Sequence, residues 1–175
     1  DILNENFDIT LYNNIISPFF GGGSFEFYLQ NTYKLNIIAN DKFTPLYNFW
    51  NNCKNNNDNL CNKLYEKLNK VDKEYFTDLR KNIMNEPDDL TQSYMYFIIN
   101  RCSFSGATLS GGFSFESSVK RFTKTSIDRI KKLNLINFKI YNLDFEKFIE
   151  QYCDNTNFLF LDPPYYLEEG SKLYG

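Results

Sequence analysis

Four consecutive residues, Asp162-Pro163-Pro164-Tyr165, have the types that could do chemistry on a flat nitrogen base. The amine of an aromatic ring is a poor nucleophile, because its lone pair is delocalised into the ring. Two acceptors placed on its protons, the Asp162 carboxylate and the carbonyl of Pro163, would draw the nitrogen toward sp3 and aim its lone pair at an alkyl donor. Such catalysis rests on positioning and electrostatics. The prolines fix φ and remove backbone donors, so the turn is stiff while its carbonyls remain free to accept. Tyr165 can stack on the base. Read by itself, Asp-Pro-Pro is also a common stiff end to a strand.

A second constellation lies far upstream. Pro18-Phe19-Phe20-Gly21-Gly22-Gly23-Ser24 follows the apolar run that begins at Ile15 and opens a helix-compatible stretch. Glycines in such a turn let a ligand approach the backbone closely, with a helix N-terminus beside it. Asp41 follows the next β-rich run and sits where an acid can accept from ribose hydroxyls.

These residues need a scaffold, and the pattern supplies one. A strand over 15–20, a helix over 24–30, a strand over 33–39 and a helix from Thr44 through Trp50 make a βαβα beginning, which predicts a doubly wound α/β sheet. The Asn-rich stretch from Asn51 to Asn62 reads as a loop. Lys63 to Arg80 carries Leu64, Leu68, Val71 and Tyr75 at helical spacing, and Thr91 to Asn100 is another helix. The Ser/Gly-rich segment from Arg101 to Phe115 cannot be a long helix. A helix over 125–133 is expected to be capped by Thr125 or Ser126. The α/β pattern then returns with a strand over 137–141, a helix over 145–151 and a buried hydrophobic strand, Asn157 to Leu161, that runs into Asp162. The expected domains are therefore residues 1–50, the first part of the α/β domain; 51–132, an inserted recognition lobe; and 133–175, the return to the α/β domain with the Asp162 turn.

Taken in order, Pro-Phe-x-Gly-Gly-Gly-Ser at 18–24, Ala-Asn-Asp at 39–41, Asn-Arg-x-x-Phe-x-Gly at 100–106, Leu-Asp-Phe at 143–145 and Asp-Pro-Pro-Tyr-Tyr at 162–166 resemble the D12 class (Dam-like, alpha group) of adenine-specific DNA methyltransferases. The likeness covers nearly the whole chain. It implies a Rossmann-like methyltransferase fold with an inserted helical and loop-rich target-recognition lobe. It also implies S-adenosylmethionine as methyl donor and N6 of a flipped adenine in double-stranded DNA as acceptor. By that likeness Pro18, Phe19, Phe20, Gly21, Gly22 and Gly23 line the methionine part of the cofactor. Asp41 binds its ribose, Asp144 and Phe145 border its adenine, and Asn40 and Asp162 also belong to the cofactor-binding residues. Asp162, Pro163, Pro164 and Tyr165 form the catalytic turn, and Asn100, Arg101, Phe104 and Ser105 face DNA. The chain departs from the family at two of these places. Ser17 stands where an acid usually precedes the Pro-Phe, and Ser105 stands where an asparagine is usual.

Charge adds a third feature. The 175-residue chain has a net charge of -3, so a nucleic-acid role requires a local basic face. Such a face is available in Lys120, Arg121, Lys124, Arg129, Lys131, Lys132 and Lys139, which stand against the single acid Asp128 within that stretch. Lys120, Arg121, Lys124 and Arg129 are the candidates for phosphate contact. The four cysteines include no C-x-x-C pair and there is no histidine, so neither a metal site nor a disulfide framework is expected. No apolar run reaches the length of a membrane span.

The resemblance implies strands beyond the Asp162 turn and a short cofactor motif before the first strand, so the natural protein is expected to be longer than this chain. It places the protein in the cytoplasm, or bound to DNA in a bacterial or virus-infected cell, in a restriction–modification, viral or regulatory setting. Two alternatives stay open at this point. One is N4-cytosine methylation, whose target is also an exocyclic amine; the other is a non-catalytic DNA-binding remnant of the fold.

Overall fold

The computed structural model describes residues 8–164, so Tyr165 and the residues after it lie outside the described part. The chain divides into two compact units, one made of residues up to Tyr47 together with Leu135–Pro164, the other of Asn48–Asn134.

Among the described residues the first unit is built on a parallel sheet of four strands: β1 (Asn14–Ser17), β2 (Asn36–Asn40), β3 (Phe138–Tyr141) and β4 (Phe158–Leu159), in the order β3-β2-β1-β4. Helix α1 (Ser24–Tyr33) connects β1 to β2. This is the Rossmann-like arrangement that the alternating pattern predicts. Ile15 pairs with both Ile37 and Phe158, and Ile16 with Ile38 and Leu159. Side chains of parallel strands are covered on both faces, which explains the continuous Ile runs. Ile15, Ile16, Ile37, Ala39 and Phe138 are all 1% exposed or less. The register is pinned at the amino end of the strands by amides: Asn36 donates to Asn14 at 3.0 Å and Asn14 to Asn157 at 2.8 Å.

Strand boundaries differ from the sequence reading in three places, the first being β1, which ends at Ser17 instead of running to Phe20. Tyr33 is the last residue of α1, because Lys34 adopts a left-handed conformation (φ 66°) and ends the helix there. β4 is two residues long and half-buried instead of a buried five-residue strand, and Leu161 is exposed. Among the described residues β4 pairs only with β1.

Helix α2 (Thr44–Asn55) leads into the second unit, which contains α3 (Asn57–Lys67), α4 (Lys73–Asn82), α5 (Asp89–Cys102), α6 (Phe115–Arg121) and α7 (Lys124–Lys131). The loop expected over Asn51 to Asn62 is helical. Asparagine costs less than about 0.7 kcal/mol per helical position. Against that small penalty stand Trp50, Cys53, Leu60, Cys61 and Leu64, all buried at helical spacing. The amides are satisfied locally: Asn55 donates to Asn51, Asn59 to Asn56, and Asn57 to the carbonyls of Cys53 and Ile130. The single helix expected from Lys63 to Arg80 is two helices. It breaks where Asn69 turns left-handed (φ 60°) and where Asp72, accepting from the Tyr75 amide at 2.8 Å, caps α4. The cap of α7 is Thr123 instead of Thr125 or Ser126, in a reciprocal capping box with Ser126. The first unit resumes at Leu135, and within it helix α8 (Phe145–Tyr152), capped by Asp144, connects β3 to β4.

Candidate functional site

All four strands of the first unit point their carboxyl ends the same way. The strand order reverses between β1 and β4, and such a switch point is where open α/β sheets bind ligands. The glycine-rich turn leaves the end of β1 and Asp162 follows β4, so these two candidate stretches are neighbours. The Phe160 amide donates to the Ile16 carbonyl at 2.9 Å, and the Phe160 ring lies 4.4 Å from that of Phe25 on α1. Phe160 thereby anchors the backbone two residues before Asp162. Asp162, Pro163 and Pro164 are exposed.

Within the glycine-rich turn the residues divide their duties. Gly23 has φ 66°, and a Cβ there would meet the Phe20 ring, so only glycine fits. Gly21 and Gly22 are different: a Cβ on either would point into open space. Phe20 is 3% exposed, and its ring packs on Phe27 and Phe138, so it serves the core. Phe19 is half-buried and packs against Phe145 with ring centroids 5.3 Å apart; Phe145 is 40% exposed. These two rings form an apolar surface at the ends of β1 and β3.

The polar residues at the strand ends hold the loops together. Buried Asn40 donates to the carbonyls of Pro18 and Leu143 at 3.1 Å each and accepts from the Leu143 amide at 2.8 Å. It therefore ties the β1 turn to the segment after β3, and both N–H donors of its amide are taken by these bonds. Asp41 accepts from the Gly21 amide at 3.0 Å and from the Phe43 amide at 2.9 Å. Burial pushes its carboxyl above the ordinary value, and the two amides oppose that rise. Each carboxylate oxygen keeps a lone pair for a further donor. Asp144 accepts from the Glu146 amide at the start of α8 and pairs with Lys42 at 2.8 Å, which holds its carboxyl below the usual range.

One residue of this edge carried no role in the sequence reading. Glu26, in the first turn of α1, is 2% exposed, and Ser17 at the end of β1 donates to it at 2.5 Å. Burial raises its carboxyl, the Ser17 bond and its own backbone amide oppose the rise, and the charge of Asp162 adds to it. The signal was a lone acid inside Phe25-Glu26-Phe27-Tyr28-Leu29, nine residues after a serine standing in an acid's usual place.

The second unit holds the DNA-facing candidates around a short 3-10 turn, Phe104–Gly106, that follows α5. Asn100 donates to the Gly106 carbonyl at 3.3 Å and to Thr108 at 3.1 Å, so it shapes the loop. Ser105 has φ 52° and Thr108 φ 47°, a left-handed backbone that favours glycine or asparagine. Phe104 is 70% exposed at this turn. Arg121 donates to the Ser103 carbonyl at 3.4 Å and lies over Gly106, where a Cβ would come within 2.7 Å of its guanidinium. Arg101 stacks on Phe97 at 5.1 Å, and its Nε is buried without a hydrogen-bond partner. Burial, and then the charges of Arg121 and Arg129, lower its affinity for a proton. The lysines are otherwise engaged: Lys120 pairs with Glu116 at 2.6 Å and Lys124 with Asp128 at 2.8 Å. No carboxylate pairs with Arg101, Arg121 or Arg129 among the described residues.

Comparison with known proteins fits this geometry. The chain is 28% identical over 169 residues to the Type II methyltransferase M.MjaIII of Methanocaldococcus jannaschii, covering 86% of this chain and 57% of that protein. It is 27% identical over 166 residues to the Type II methyltransferase M1.LlaDCHI of Lactococcus lactis subsp. cremoris, covering 88% of this chain and 57% of that one. The chain thus spans little more than half the length of these relatives. The family model for the D12 class of N6 adenine-specific DNA methyltransferases matches residues 1–175. With its parallel sheet, its glycine-rich turn after β1 and its Asp-Pro-Pro after β4, the chain belongs to that family.

Proposed function

We propose that this protein is a site-specific, adenine-specific DNA methyltransferase that moves a methyl group from S-adenosylmethionine to N6 of a flipped adenine. One observation carries the reading: the β1–β4 pairing brings the glycine-rich turn and Asp162-Pro163-Pro164 to the same switch point. Asp162 is the proposed acceptor for one proton of the adenine amine, with the Pro163 carbonyl as the second. Pro164 keeps that carbonyl rigid. Tyr165, outside the described residues, is proposed to stack on the base. A stacked base in a duplex cannot reach such a turn, so the target must leave the helix.

The residues at the strand ends suit the donor. Space lies open over Gly21 and Gly22. Asp41 has lone pairs left for a ribose, and the Phe19–Phe145 rings offer an apolar surface for an adenine. When bound, S-adenosylmethionine would supply the activated methyl group on its sulfonium. We assign Pro18, Phe19, Gly21, Gly22, Gly23, Asp41, Asp144 and Phe145 to its binding, with Asn40 and Phe20 acting through the shape of the turn. DNA contact is assigned to Arg101, Phe104, Ser105, Arg121 and Arg129, with Asn100 shaping their loop and Lys120 and Lys124 as weaker contributors. The reading places the protein with DNA in the cytoplasm.

The test is to incubate the intact protein with labelled S-adenosylmethionine and mixed-sequence duplex DNA, then digest to nucleosides. Label in N6-methyladenine, absent with Asp162→Ala, is expected. Label in N4-methylcytosine would keep the chemistry and change the base. No label, despite cofactor binding, would point to a non-catalytic remnant of the fold.

A further inference from the structure

Glu26 is a buried acid without an evident structural need. It is 2% exposed, and no lysine or arginine pairs with it among the described residues. Among the described residues its carboxylate accepts from the Ser17 hydroxyl and from its own backbone amide, both neutral donors. An amide at this position could accept that same bond without the cost of burying a charge. A carboxylate in the first turn of a helix gains from the helix dipole, but it gains that while exposed as well. The neighbourhood makes the charge less welcome still, because Asp162 is close enough to oppose it. Two carboxylates that converge on one edge of a sheet, beside open space at Gly21 and Gly22, form a place for a cation.

The Ser17 contact locates that place. Ser17 is fully buried at the carboxyl end of β1, and its hydroxyl draws the Glu26 carboxylate across from α1 to the strand end. That is the point from which this chain lacks an acid directly before Pro18. We infer that Glu26 is a cofactor-binding residue, supplying from the helix the carboxylate that receives the ammonium group of the donor's amino-acid end. The inference rests on the methyltransferase reading above and adds to it a residue that neither motif contains. Ser17 then acts as a positioning residue: it orients the carboxylate and leaves the second oxygen to the ligand.

The experiment compares two ligands that share the nucleoside and a neutral thioether but differ in the amino-acid end. Dissociation constants of S-adenosylhomocysteine, which carries that end, and of 5′-methylthioadenosine, which lacks it, are measured by titration calorimetry on the intact protein and on Glu26→Gln. The variant is expected to weaken S-adenosylhomocysteine binding about tenfold or more, the size of a lost bond to a charged group, and to leave methylthioadenosine unchanged. A second variant, Ser17→Asp combined with Glu26→Leu, moves the carboxylate to the strand end and is expected to restore most of the affinity. Equal weakening of both ligands, or no weakening of either, would overturn the inference while leaving the methyltransferase reading intact. Failure of the unaltered protein to bind S-adenosylhomocysteine at all would overturn that reading, and this inference with it.

Discussion

Along the carboxyl edge of the sheet stand Glu26, Asp41, Asp144 and Asp162, while around the turn after α5 stand Arg101, Arg121 and Arg129. The two regions solve the problem of like charges differently. At the sheet edge, carboxylates are held by backbone amides and a hydroxyl, as at Asp41 and Glu26. Around the turn, guanidiniums are held by a carbonyl and by aromatic stacking, and one nitrogen of Arg101 has no partner. Among the described residues neither group is neutralised by opposite charge within its own region, Asp144 excepted. An anionic edge suits a cationic sulfonium donor, and a cationic loop suits a polyanion. Under the proposed function the charged residues assigned to ligands are mostly those fixed by neutral partners, with Asp144, paired with Lys42, as the exception. Residues paired with opposite charge, such as Lys120 and Lys124, are already served.

The strongest way to break this comparison is at Asp162. Its side chain is exposed, so removing it should leave the fold intact. Asp162→Ala is expected to lower kcat by about 10²- to 10³-fold, the scale of a lost transition-state hydrogen bond, with an unchanged melting temperature. A proportional loss of stability would mean that the residue is structural. Next in size is Asn40→Ala. It strips partners from the Pro18 and Leu143 carbonyls and the Leu143 amide at a buried position. Urea unfolding should show a loss of about 3 kcal/mol, with cofactor affinity falling because the turn is no longer tied. An unchanged unfolding midpoint would remove Asn40 from its role as the tie between the strand ends.

How far the sequence speaks differs between these regions for a physical reason. The Ile runs of β1 and β2 and the Gly-Gly-Gly turn are local signals, and the alternation of strands and helices predicts a parallel sheet. Local signals failed where tertiary burial decides. The Asn-rich stretch after Trp50 is helical because Cys53, Leu60, Cys61 and Leu64 are buried together, and nothing in the asparagines says so. The role of Asn40 as a clasp was hidden because its partner Leu143 lies 103 positions away. Counting basic residues between Lys120 and Lys139 does not show how each is paired. Glu116 lies just before that stretch, and it meets Lys120 only once α6 is formed.

The arginine loop offers the next prediction. Arg101→Ala and Arg121→Ala should each weaken duplex DNA binding several-fold and reduce the slope of log K against log salt by about 0.9, without altering affinity for S-adenosylmethionine. Lys120→Ala should change that slope less, because Glu116 already pairs with the ammonium. Equal slopes for lysine and arginine variants would erase the distinction between paired and unpaired cations. Smaller again is Thr123→Ala, which removes the cap of α7 and is expected to cost about 1 kcal/mol in urea unfolding.

The finest test is one of sign, at Glu26 in the absence of cofactor. Burial raises its carboxyl above the ordinary value of 4.5, and the Ser17 bond only partly offsets this. A carboxyl raised on folding is protonated more readily in the folded chain than in the unfolded one. Folding then takes up a proton, and its contribution to stability is fully present below pH 4.5 and lost as pH rises through the folded value. The groups facing it, Ser17 on β1 and Asp162 after β4, supply no compensating cation. Glu26→Gln removes that dependence. The variant should therefore melt higher than the unaltered protein at neutral pH, and the advantage should shrink as pH falls toward 4.5. If Glu26 were simply a brace for Ser17, the variant would melt no higher at any pH. A rise in stability joined to a loss of cofactor affinity is what a residue held in readiness for a cation must show.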